Sequence, residues 1–433
     1  MPCLKQIFSK EKFVQNGSVI KRWKICGKTV LSQERLREGT QVCFCGKVFY
    51  IKHHLKTKFI WKCSAYQKTI NRFLSDSKAK KIVLLSHNLT VTGAPLALYK
   101  IALILRNCGW KVLFVSPRGG HLSEILKENE IDYLIVPHIL QAKFSVYQRL
   151  FSKFDAAICN TYVGTYAATC LQKFIPTLLY IHEAKDGLIN LSNNAEHFLS
   201  GLPVTTLLGE LNNVACVSDF AASFYQPYVK KPINIIHNFV KDTNLPRYCN
   251  KSSFLKIGYV GAIDDTIKKT DILCKAFADL EKKYPQTELH IIGNTSSVCA
   301  QKLIKQYDDK IVWHGEQVGE SKDKLFNEMD IIVVPSLSES CSLVALEAAA
   351  FAKPIVITEN VGAKYMFEHN VSAMIAKVND VDSLSDCLET LVIDENLRDK
   401  LVANARVAYE KFATKENTQK ELLSVLEKTI TEF

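Results

Sequence analysis

The chain has 433 residues, of which 47% are hydrophobic, and it carries a formal net charge of +11. This length exceeds one ordinary domain, and the apolar content is ample for buried cores, so we expect two large domains with smaller attachments. No uncharged apolar run approaches the roughly 18 residues that a membrane-spanning helix needs, which excludes a protein built around such helices.

The positive charge is concentrated at the N-terminus. Residues 1–80 contain 18 Lys and Arg against 4 Asp and Glu, whereas the remainder contains 37 against 40. Such a segment suits anionic lipid headgroups, a phosphate-bearing acceptor or nucleic acid, and a basic surface that only aids solubility is an equally good explanation. The segment carries no recognised nucleic-acid-binding motif, so we predict no nucleic-acid partner.

The fourteen cysteines are spread from Cys3 to Cys387 and include no CxxC pair. Residues Met1 to Phe13 have no apolar core of the kind that a signal peptide requires. The two observations predict a reducing compartment and a cytoplasmic protein rather than a disulfide-linked secreted one.

The first chain segment contains a weak internal repeat. The stretches "KICGKTVLS" from Lys24 and "CFCGKVFYI" from Cys43 each place Cys-Gly-Lys between β-favouring residues. Glycine at that place indicates tight turns, so we predict a β-rich module of two hairpin units, followed from Leu55 to Lys80 by a partly helical basic connector. Together they form a predicted basic N-terminal module over residues 1–78.

From Lys81 onward, short apolar runs alternate with helical patterns. The predicted strands begin at Lys81, Lys111, Asp132, Asp155, Pro176, Asn212 and Ile233. Continuous apolar strands separated by helices predict a parallel, doubly wound sheet, which places a Rossmann-like domain at residues 79–245.

A second alternating series follows a polar linker predicted between Val240 and Phe254. Its strands begin at Leu255, Thr287, Lys310, Asp330 and Lys353. We predict a second Rossmann-like domain at residues 250–410 and a C-terminal helix at 411–433. Ligands of such folds lie at the carboxyl ends of the strands, so the cleft between two facing domains is the expected site.

Two glutamates stand out in the segment "SESCSLVALEAAA", which follows the strand "DIIVVPS". Glu347 is the only charge on a predicted helix that is otherwise apolar or small, so its carboxylate needs either a Lys or Arg partner or ligand hydroxyls. Glu339 lies in the preceding turn, where the backbone N–H groups of Ser342 and Leu343 are suited to a phosphate.

Glu339 and Glu347, with seven residues between them and Lys353-Pro354 after them, resemble the signature of the group 1 (family 4) retaining glycosyltransferases of GT-B fold. The segments "YVGAIDD", "ELHIIGN", "VWHG", "DIIVVPS" and "NVGA" are similar to the family's segments and occur in the same order. The similarity is strong from Ile257 to near Asn404 and looser from Lys81.

The resemblance implies roles for residues of the second domain. Glu339 would contact the donor sugar and Glu347 the nucleotide ribose, while Ser342, in place of the family's glycine, and Leu343 would offer backbone donors to the diphosphate. Lys268, with Lys269 as the alternative in a shifted register, would neutralise the diphosphate. Gly261, at the end of the first strand of this domain, would also be a donor-binding residue, and the residue after it is Ala262, where the family has arginine.

In the first domain the resemblance implies a glycine loop and a histidine beside the reaction centre. "TVTGAP" fits the loop through Gly93, with one of the two common glycines, and "YIHEA" supplies His182 and Glu183. A satisfied histidine at a strand end is the structural alternative for His182, and His87 is a weaker candidate. Because Asp264 and Asp265 lie in a loop of the second domain, we assign them no metal.

The resemblance therefore implies a retaining glycosyltransferase with His182, Glu339 and Lys268 as catalytic residues. It would move a sugar from a UDP- or GDP-linked donor, without metal or cofactor, to a glycan or lipid-linked acceptor in bacterial surface polysaccharide or lipopolysaccharide synthesis. Residues 1–78 would suit an anionic membrane surface, at the inner face of the cytoplasmic membrane. The alternatives are a non-catalytic GT-B scaffold, for which Ala262 and Ser342 argue, and another GT-B enzyme such as a sugar-nucleotide epimerase or phosphorylase.

Overall fold

The computed structural model describes residues 8–15, 18–25, 28–35, 40–44, 47–51, 56–75, 78–184, 203–243, 254–294, 306 and 310–433, with side chains from residue 65 onward. The chain divides into two compact units, Met1–Asn71 and Arg72–Phe433. No helix among these described residues is long and apolar enough to cross a membrane.

The first unit contains an antiparallel sheet in which five strands are neighbours in chain order. The strands are β1 (Phe8–Gln15), β2 (Ser18–Ile25), β3 (Lys28–Arg35), β4 (Thr40–Phe44) and β5 (Lys47–Ile51). The pairs β2–β3 and β4–β5 correspond to the two predicted hairpins, and β1 is an additional strand. The Cys-Gly turns that predicted them lie outside the described residues. Helix α1 (Lys56–Ser75) follows, where the sequence predicts a partly helical connector.

The second unit begins with a seven-stranded parallel sheet in the order β12-β11-β10-β9-β6-β7-β8. Its strands are β6 (Lys81–Leu85), β7 (Lys111–Ser116), β8 (Asp132–Ile135), β9 (Ala156–Asn160), β10 (Thr177–Ile181), β11 (Val214–Cys216) and β12 (Asn234–Ile235). All seven coincide with predicted strands. The central strands β9 and β10 are buried at every position, as expected when helices cover both faces.

Six helices accompany this first parallel sheet among the described residues. They are α2 (Gly93–Asn107), α3 (Leu122–Glu128), α4 (Phe144–Phe151), α5 (Thr165–Leu171), α6 (Val204–Leu208) and α7 (Asp219–Tyr225). Helix α2 buries Leu98, Ile101 and Leu105, which recur at helical spacing and form its core-facing stripe.

A second parallel sheet has six strands in the order β15-β14-β13-β16-β17-β18. The strands are β13 (Leu255–Val260), β14 (Thr287–Ile292), β15 (Ile311–Trp313), β16 (Ile331–Val334), β17 (Ile355–Thr358) and β18 (Met374–Ala376). The helices are α8 (Thr270–Lys283), α9 (Gly319–Glu328), α10 (Leu343–Ala350), α11 (Val381–Ile393) and α12 (Glu395–Phe412). Five of these strands were predicted. Strand β18 was not predicted.

The last helix, α13 (Lys415–Thr431), packs against β10 and α2 of the first parallel sheet. Glu421 of this helix accepts the backbone N–H of His237 at 2.8 Å and faces its Nδ1 at 2.8 Å. Arg406 forms two hydrogen bonds with Asp242, of 2.8 and 2.7 Å. The helical end of the chain is thereby fixed to the segment after β12. The middle of the predicted linker lies outside the described residues.

Candidate functional site

A lysine and a glutamate that the sequence singles out meet at the carboxyl ends of β13 and β16. Lys268 Nζ lies 3.0 Å from Glu339 Oε1, and Ser336 Oγ donates to Glu339 Oε2 at 2.9 Å. The backbone of Glu339 donates to Asn360 O at 3.1 Å and accepts from Gly362 N at 2.7 Å. The carboxylate is therefore held in one place beside a cation.

The loop after β13 explains why Lys268 rather than Lys269 reaches Glu339. Asp264 accepts hydrogen bonds from the backbone N–H of Thr266 at 2.8 Å and of Ile267 at 3.1 Å, which folds the loop back on itself. Partial burial opposes ionisation of Asp264, but a hydrogen bond from the Thr266 hydroxyl, together with those from the backbone, lowers its pKa overall. Lys269 has a positive φ of 54° and occupies the N-cap position of α8, where its side chain makes no capping hydrogen bond. Asp264 thus has a structural role in the loop.

Ser342 adopts a backbone conformation that favours glycine. Its φ is 69° and its ψ 93°, in the region that costs a residue with a Cβ atom. The side chain is used as a helix cap, because Ser342 Oγ accepts the backbone N–H of Ala345 at 3.3 Å. Helix α10 starts at the next residue, Leu343, so the unpaired N–H groups of its first turn begin here.

Glu347 has the basic partner that the structural alternative required. Lys322 Nζ of α9 lies 2.6 Å from Glu347 Oε1, and each side chain is 21% exposed. This partial exposure leaves room for a hydroxyl at the remaining carboxylate oxygen. The ribose-binding role of Glu347 remains a prediction. Lys322 could not be singled out from the sequence, because it lies on an amphipathic helix among other charges.

Two glycines permit close backbone approaches around this site. A Cβ atom at Gly362 would lie 1.8 Å from Ser340 O, so no other residue fits the turn that holds Glu339. A Cβ atom at Gly293, the second position, would lie 1.7 Å from the carbonyl oxygen of Gly261, which itself has a φ of 149°. Ala262, which follows Gly261, is exposed.

On the first sheet, Gly93 is the first residue of α2, and a Cβ there would meet no protein atom within 4 Å. A second glycine, Gly120, packs against the loop that leads into α2, although it is distant in sequence. A Cβ at Gly120 would lie 2.2 Å from Leu89 O, so the loop after β7 is pressed against the loop that precedes α2. Sequence reasoning missed Gly120, because it lies 27 positions beyond Gly93.

His182 is buried just after β10, with its Nε2 2.8 Å from Asn160 Oδ1 and its ring 4.3 Å from the ring of Tyr180. Burial, followed by the nearby His87, lowers the pKa of His182 to about 3, so the ring is neutral at pH 7. Burial also lowers the pKa of His87. In the adjacent Glu183, burial outweighs hydrogen bonds from backbone N–H groups and raises the pKa of the carboxyl to about 7.

The two parallel sheets contact each other at this site. Ser218, which follows β11, donates through Oγ to Ser340 O in the turn beside Glu339. Lys100 of α2 donates to Phe239 O at 2.8 Å. Burial lowers the pKa of Lys100, and the charge of Glu347 opposes that shift. The segment after β11 therefore contacts the turn that holds Glu339.

The site combines groups suited to an anionic, polyhydroxylated ligand. Lys268 and the start of α10 favour a phosphate, Glu339 can accept hydrogen bonds from sugar hydroxyls, and neutral His182 can accept one more. Among the described residues, no group of three His, Cys, Asp or Glu is placed to hold a metal ion. That the reaction needs no metal ion remains a prediction.

Two protein families match the chain in succession. "Glycosyl transferases group 1" matches residues 241–408, and "Glycosyl-transferase family 4" matches residues 78–203. A D-inositol 3-phosphate glycosyltransferase of Corynebacterium jeikeium is 29% identical over 157 residues, which cover 33% of this chain and 36% of that protein. The match thus spans about a third of that curated relative's length.

Solved structures share the fold. An Anabaena protein, HepE, in complex with UDP and glucose has a TM-score of 0.64 and 17% identity, covering 80% of this chain and 99% of that one. WaaG, a glycosyltransferase involved in lipopolysaccharide biosynthesis, has a TM-score of 0.59 and 12% identity, covering 81% and 99%. At these identities the likeness establishes the arrangement of the two parallel sheets.

Proposed function

Because this chain belongs to the group 1 (family 4) glycosyltransferases and has the GT-B fold predicted for it, we propose that it transfers a sugar from a nucleoside diphosphate to an acceptor hydroxyl, with retention at the anomeric carbon. The donor is a UDP- or GDP-linked sugar. A structural neighbour that holds UDP and glucose supports a donor of this class.

One observation carries the proposal: Lys268, Glu339 and the start of α10 lie together at the carboxyl ends of β13 and β16. Breaking the bond to the anomeric carbon leaves a cationic sugar and an anionic diphosphate. Lys268 and the N–H groups from Leu343 onward stabilise the diphosphate, and Glu339 orients the sugar. Contributions of this kind are worth about 10²–10³-fold in rate each.

The reaction we propose proceeds on one face of the sugar, without a covalent enzyme intermediate. The diphosphate leaves and the acceptor oxygen attacks from the same side, its proton passing to the leaving phosphate. The residues of the proposed site bind the donor, orient its sugar and neutralise the charge of its diphosphate. Neutral His182 would accept a hydrogen bond from a substrate hydroxyl. We expect the transfer to need no metal ion and therefore to persist in a chelator.

The test is release of nucleoside diphosphate from a panel of UDP- and GDP-sugars, with and without a lipid and glycan extract as acceptor. We expect release from at least one donor and a loss of about 10²-fold or more in Glu339→Ala. Glu410→Ala is the matched control, because Glu410 is an exposed carboxylate on α12 that pairs with Arg406. No release from any donor would favour the alternative of a non-catalytic GT-B scaffold. Equal release by Glu339→Ala and the unmodified protein would show that the reaction does not use this site.

For the acceptor, we propose a glycan or lipid-linked substrate in bacterial surface polysaccharide or lipopolysaccharide synthesis, reached at the inner face of the cytoplasmic membrane. The charge excess of residues 1–80 supports this, because basic segments bind anionic lipid surfaces at about 1 kcal/mol per Lys or Arg. Removal of residues 1–78 should abolish sedimentation with vesicles of anionic lipid but leave soluble donor turnover intact. Unchanged sedimentation would contradict the proposed membrane binding but not the proposed transfer reaction.

A further inference from the structure

We propose that Asn160 is a positioning residue that holds His182 in one neutral tautomer, with the proton on Nε2 and the lone pair of Nδ1 left to accept a hydrogen bond from a substrate hydroxyl. The use of that lone pair rests on the proposed function. The tautomer itself follows from geometry within the first parallel sheet and can be tested without any substrate.

The side-chain amide of Asn160 has both ends engaged. Asn160 is the last residue of β9 and has no exposed surface; its Nδ2 donates to Ala94 O at 3.0 Å, and its Oδ1 lies 2.8 Å from His182 Nε2. Reversing the amide would set its oxygen against the carbonyl of Ala94, two acceptors in contact. The oxygen therefore faces the imidazole, and Nε2 must carry the proton.

The groups around His182 keep its ring neutral. The nearby groups that can titrate are His87, Tyr180 and Glu183. The Glu183 carboxylate accepts the backbone N–H of Tyr162 at 3.4 Å and of His182 at 3.2 Å. With Nε2–H given to Asn160 and burial opposing a second proton, Nδ1 keeps its lone pair.

The strand end that carries Asn160 is held in a strained conformation. The next residue, Thr161, has a φ of 66° and a ψ of 164°, which is unfavourable for a β-branched side chain. Its N–H donates to Tyr180 O at 2.7 Å, and its Oγ1 accepts from Val163 N at 3.3 Å. Strain that the surrounding bonds maintain at a strand end is typical of functional positions.

Asn160 also connects two elements of the site. Ala94 directly follows Gly93 at the start of α2, so the amide fixes His182 relative to the loop that we expect the donor to contact. Sequence reasoning missed this residue, although Asn160 could have been found by noting the polar residue at the carboxyl end of each parallel strand.

The test is long-range ¹H–¹⁵N correlation spectroscopy on the full chain labelled with ¹⁵N-histidine, with the His182 signals assigned by their loss in His182→Gln. We expect Nε2 protonated and Nδ1 unprotonated, without titration between about pH 5 and pH 8, the range in which an ordinary histidine titrates. Asn160→Ala should give a mixture of tautomers. Asn160→Asp should make His182 titrate in that range, because a carboxylate stabilises the imidazolium.

Asn213→Asp is the matched control, because Asn213 is also buried but lies at the opposite, amino-terminal edge of the same sheet. It should leave the His182 signals unchanged. A proton on Nδ1 in the unmodified protein would overturn the proposal even if no Asn160 variant folds, and so would an unchanged single tautomer in Asn160→Ala. Should no donor be turned over, the proposed function fails while the tautomer stands. If the protein turns over a donor, the pH profile of kcat should show an additional titration in Asn160→Asp that is absent in Asn213→Asp.

Discussion

Among the individual residues, Lys268 and Glu339 form the centre of the proposed donor site. Their contact of 3.0 Å pairs a cation with the carboxylate before any ligand is present, so a bound diphosphate would compete with Glu339 for the ammonium. Both side chains keep some exposure, 31% for Lys268 and 19% for Glu339, which leaves them accessible to a ligand. A partly exposed pair of this kind contributes little to stability, so its replacement should affect activity more than folding.

Lys268→Ala should reduce kcat for donor turnover by about 10²–10³-fold, because the leaving diphosphate loses its nearest cation. The measurement is nucleoside diphosphate release under saturating donor. Lys269→Ala is the matched control, since Lys269 is the adjacent lysine and stands at the N-cap position of α8 without a side-chain capping hydrogen bond. Equal losses in both variants would show that the geometry of the loop does not select Lys268.

Glu183→Gln tests the buried carboxyl beside His182. The pKa of Glu183 is raised from 4.5 to about 7, so the folded protein binds more protons than the unfolded chain between those values. Its contribution to the free energy of unfolding is therefore full below pH 4.5 and is lost as the pH rises to about 7, at up to about 1.4 kcal/mol per pH unit.

His182, whose pKa is lowered to about 3, makes the free energy of unfolding increase with pH between about 3 and 6.5. The unmodified chain and Glu183→Gln share this contribution, so it cancels in the difference between them. The difference in stability between Glu183→Gln and the unmodified chain should consequently grow in favour of the variant from pH 4.5 to 7. The measurement is denaturant unfolding at several pH values. A difference that does not change with pH would contradict the assignment.

Asn160 and Lys322 mark the limit of residue-level prediction. Glu339 and Ser342 could be predicted as site residues because they lie in the turn between a strand and a helix, where the fold itself gathers ligands, and Lys268 was added by the family resemblance. Asn160 contacts a histidine 22 positions away, and Lys322 a glutamate 25 positions away. The place of Asn160 at a strand end marks it as a candidate, but both pairings depend on three-dimensional packing, and no local pattern identifies the partner of either residue.

At the element scale, the turn into α10 combines a strained residue with a helix cap. Ser342→Gly should be neutral or slightly stabilising, because relief of the positive φ offsets the loss of the cap, which costs only a few tenths of a kcal/mol for glycine. Ser342→Ala should destabilise by about 1 kcal/mol, since it keeps the strain and loses the cap. Thermal unfolding of both variants is the check, and a less stable glycine variant would refute the strain.

The start of α2 offers a complementary experiment on ligand approach. A Cβ at Gly93 would meet no protein atom, so Gly93→Ala should fold with unchanged or slightly higher stability. If a substrate approaches the backbone there, as the glycine loop implies, the same variant should raise KM for donor or acceptor at least several-fold. Unchanged kinetics in this stable variant would remove Gly93 from the site.

Most strands could be predicted, because continuous apolar runs mark strands that helices cover on both faces. The runs at β6, β7 and β16 are of this kind. Short length alone did not prevent prediction, because β11 and β15 have three residues, as β18 does, and both were predicted. In the N-terminal unit the repeat pointed to two hairpins, while β1, which lies before the repeat, had no such signal.

At the scale of the whole molecule, alternating strands and helices in two series were enough to predict two parallel-sheet domains, and the resemblance around Glu339 and Glu347 added the GT-B fold. Their attachment to each other was not predictable. Ser218 reaches Ser340 across 122 positions, and Glu421 of the last helix returns to His237 across 184. Contacts of such long range follow from the packed fold and leave no periodic trace in the sequence. The domain boundaries at residues 78, 245 and 410 remain predictions.

The most direct test of the account is a crystal structure with the nucleoside diphosphate, UDP or GDP, that raises the melting temperature most. We predict the diphosphate between Lys268 and the first N–H groups of α10, with the ribose at Glu347 beside Lys322. A nucleotide bound away from these residues, or a ribose that leaves Glu347 paired with Lys322 alone, would contradict the proposed donor site.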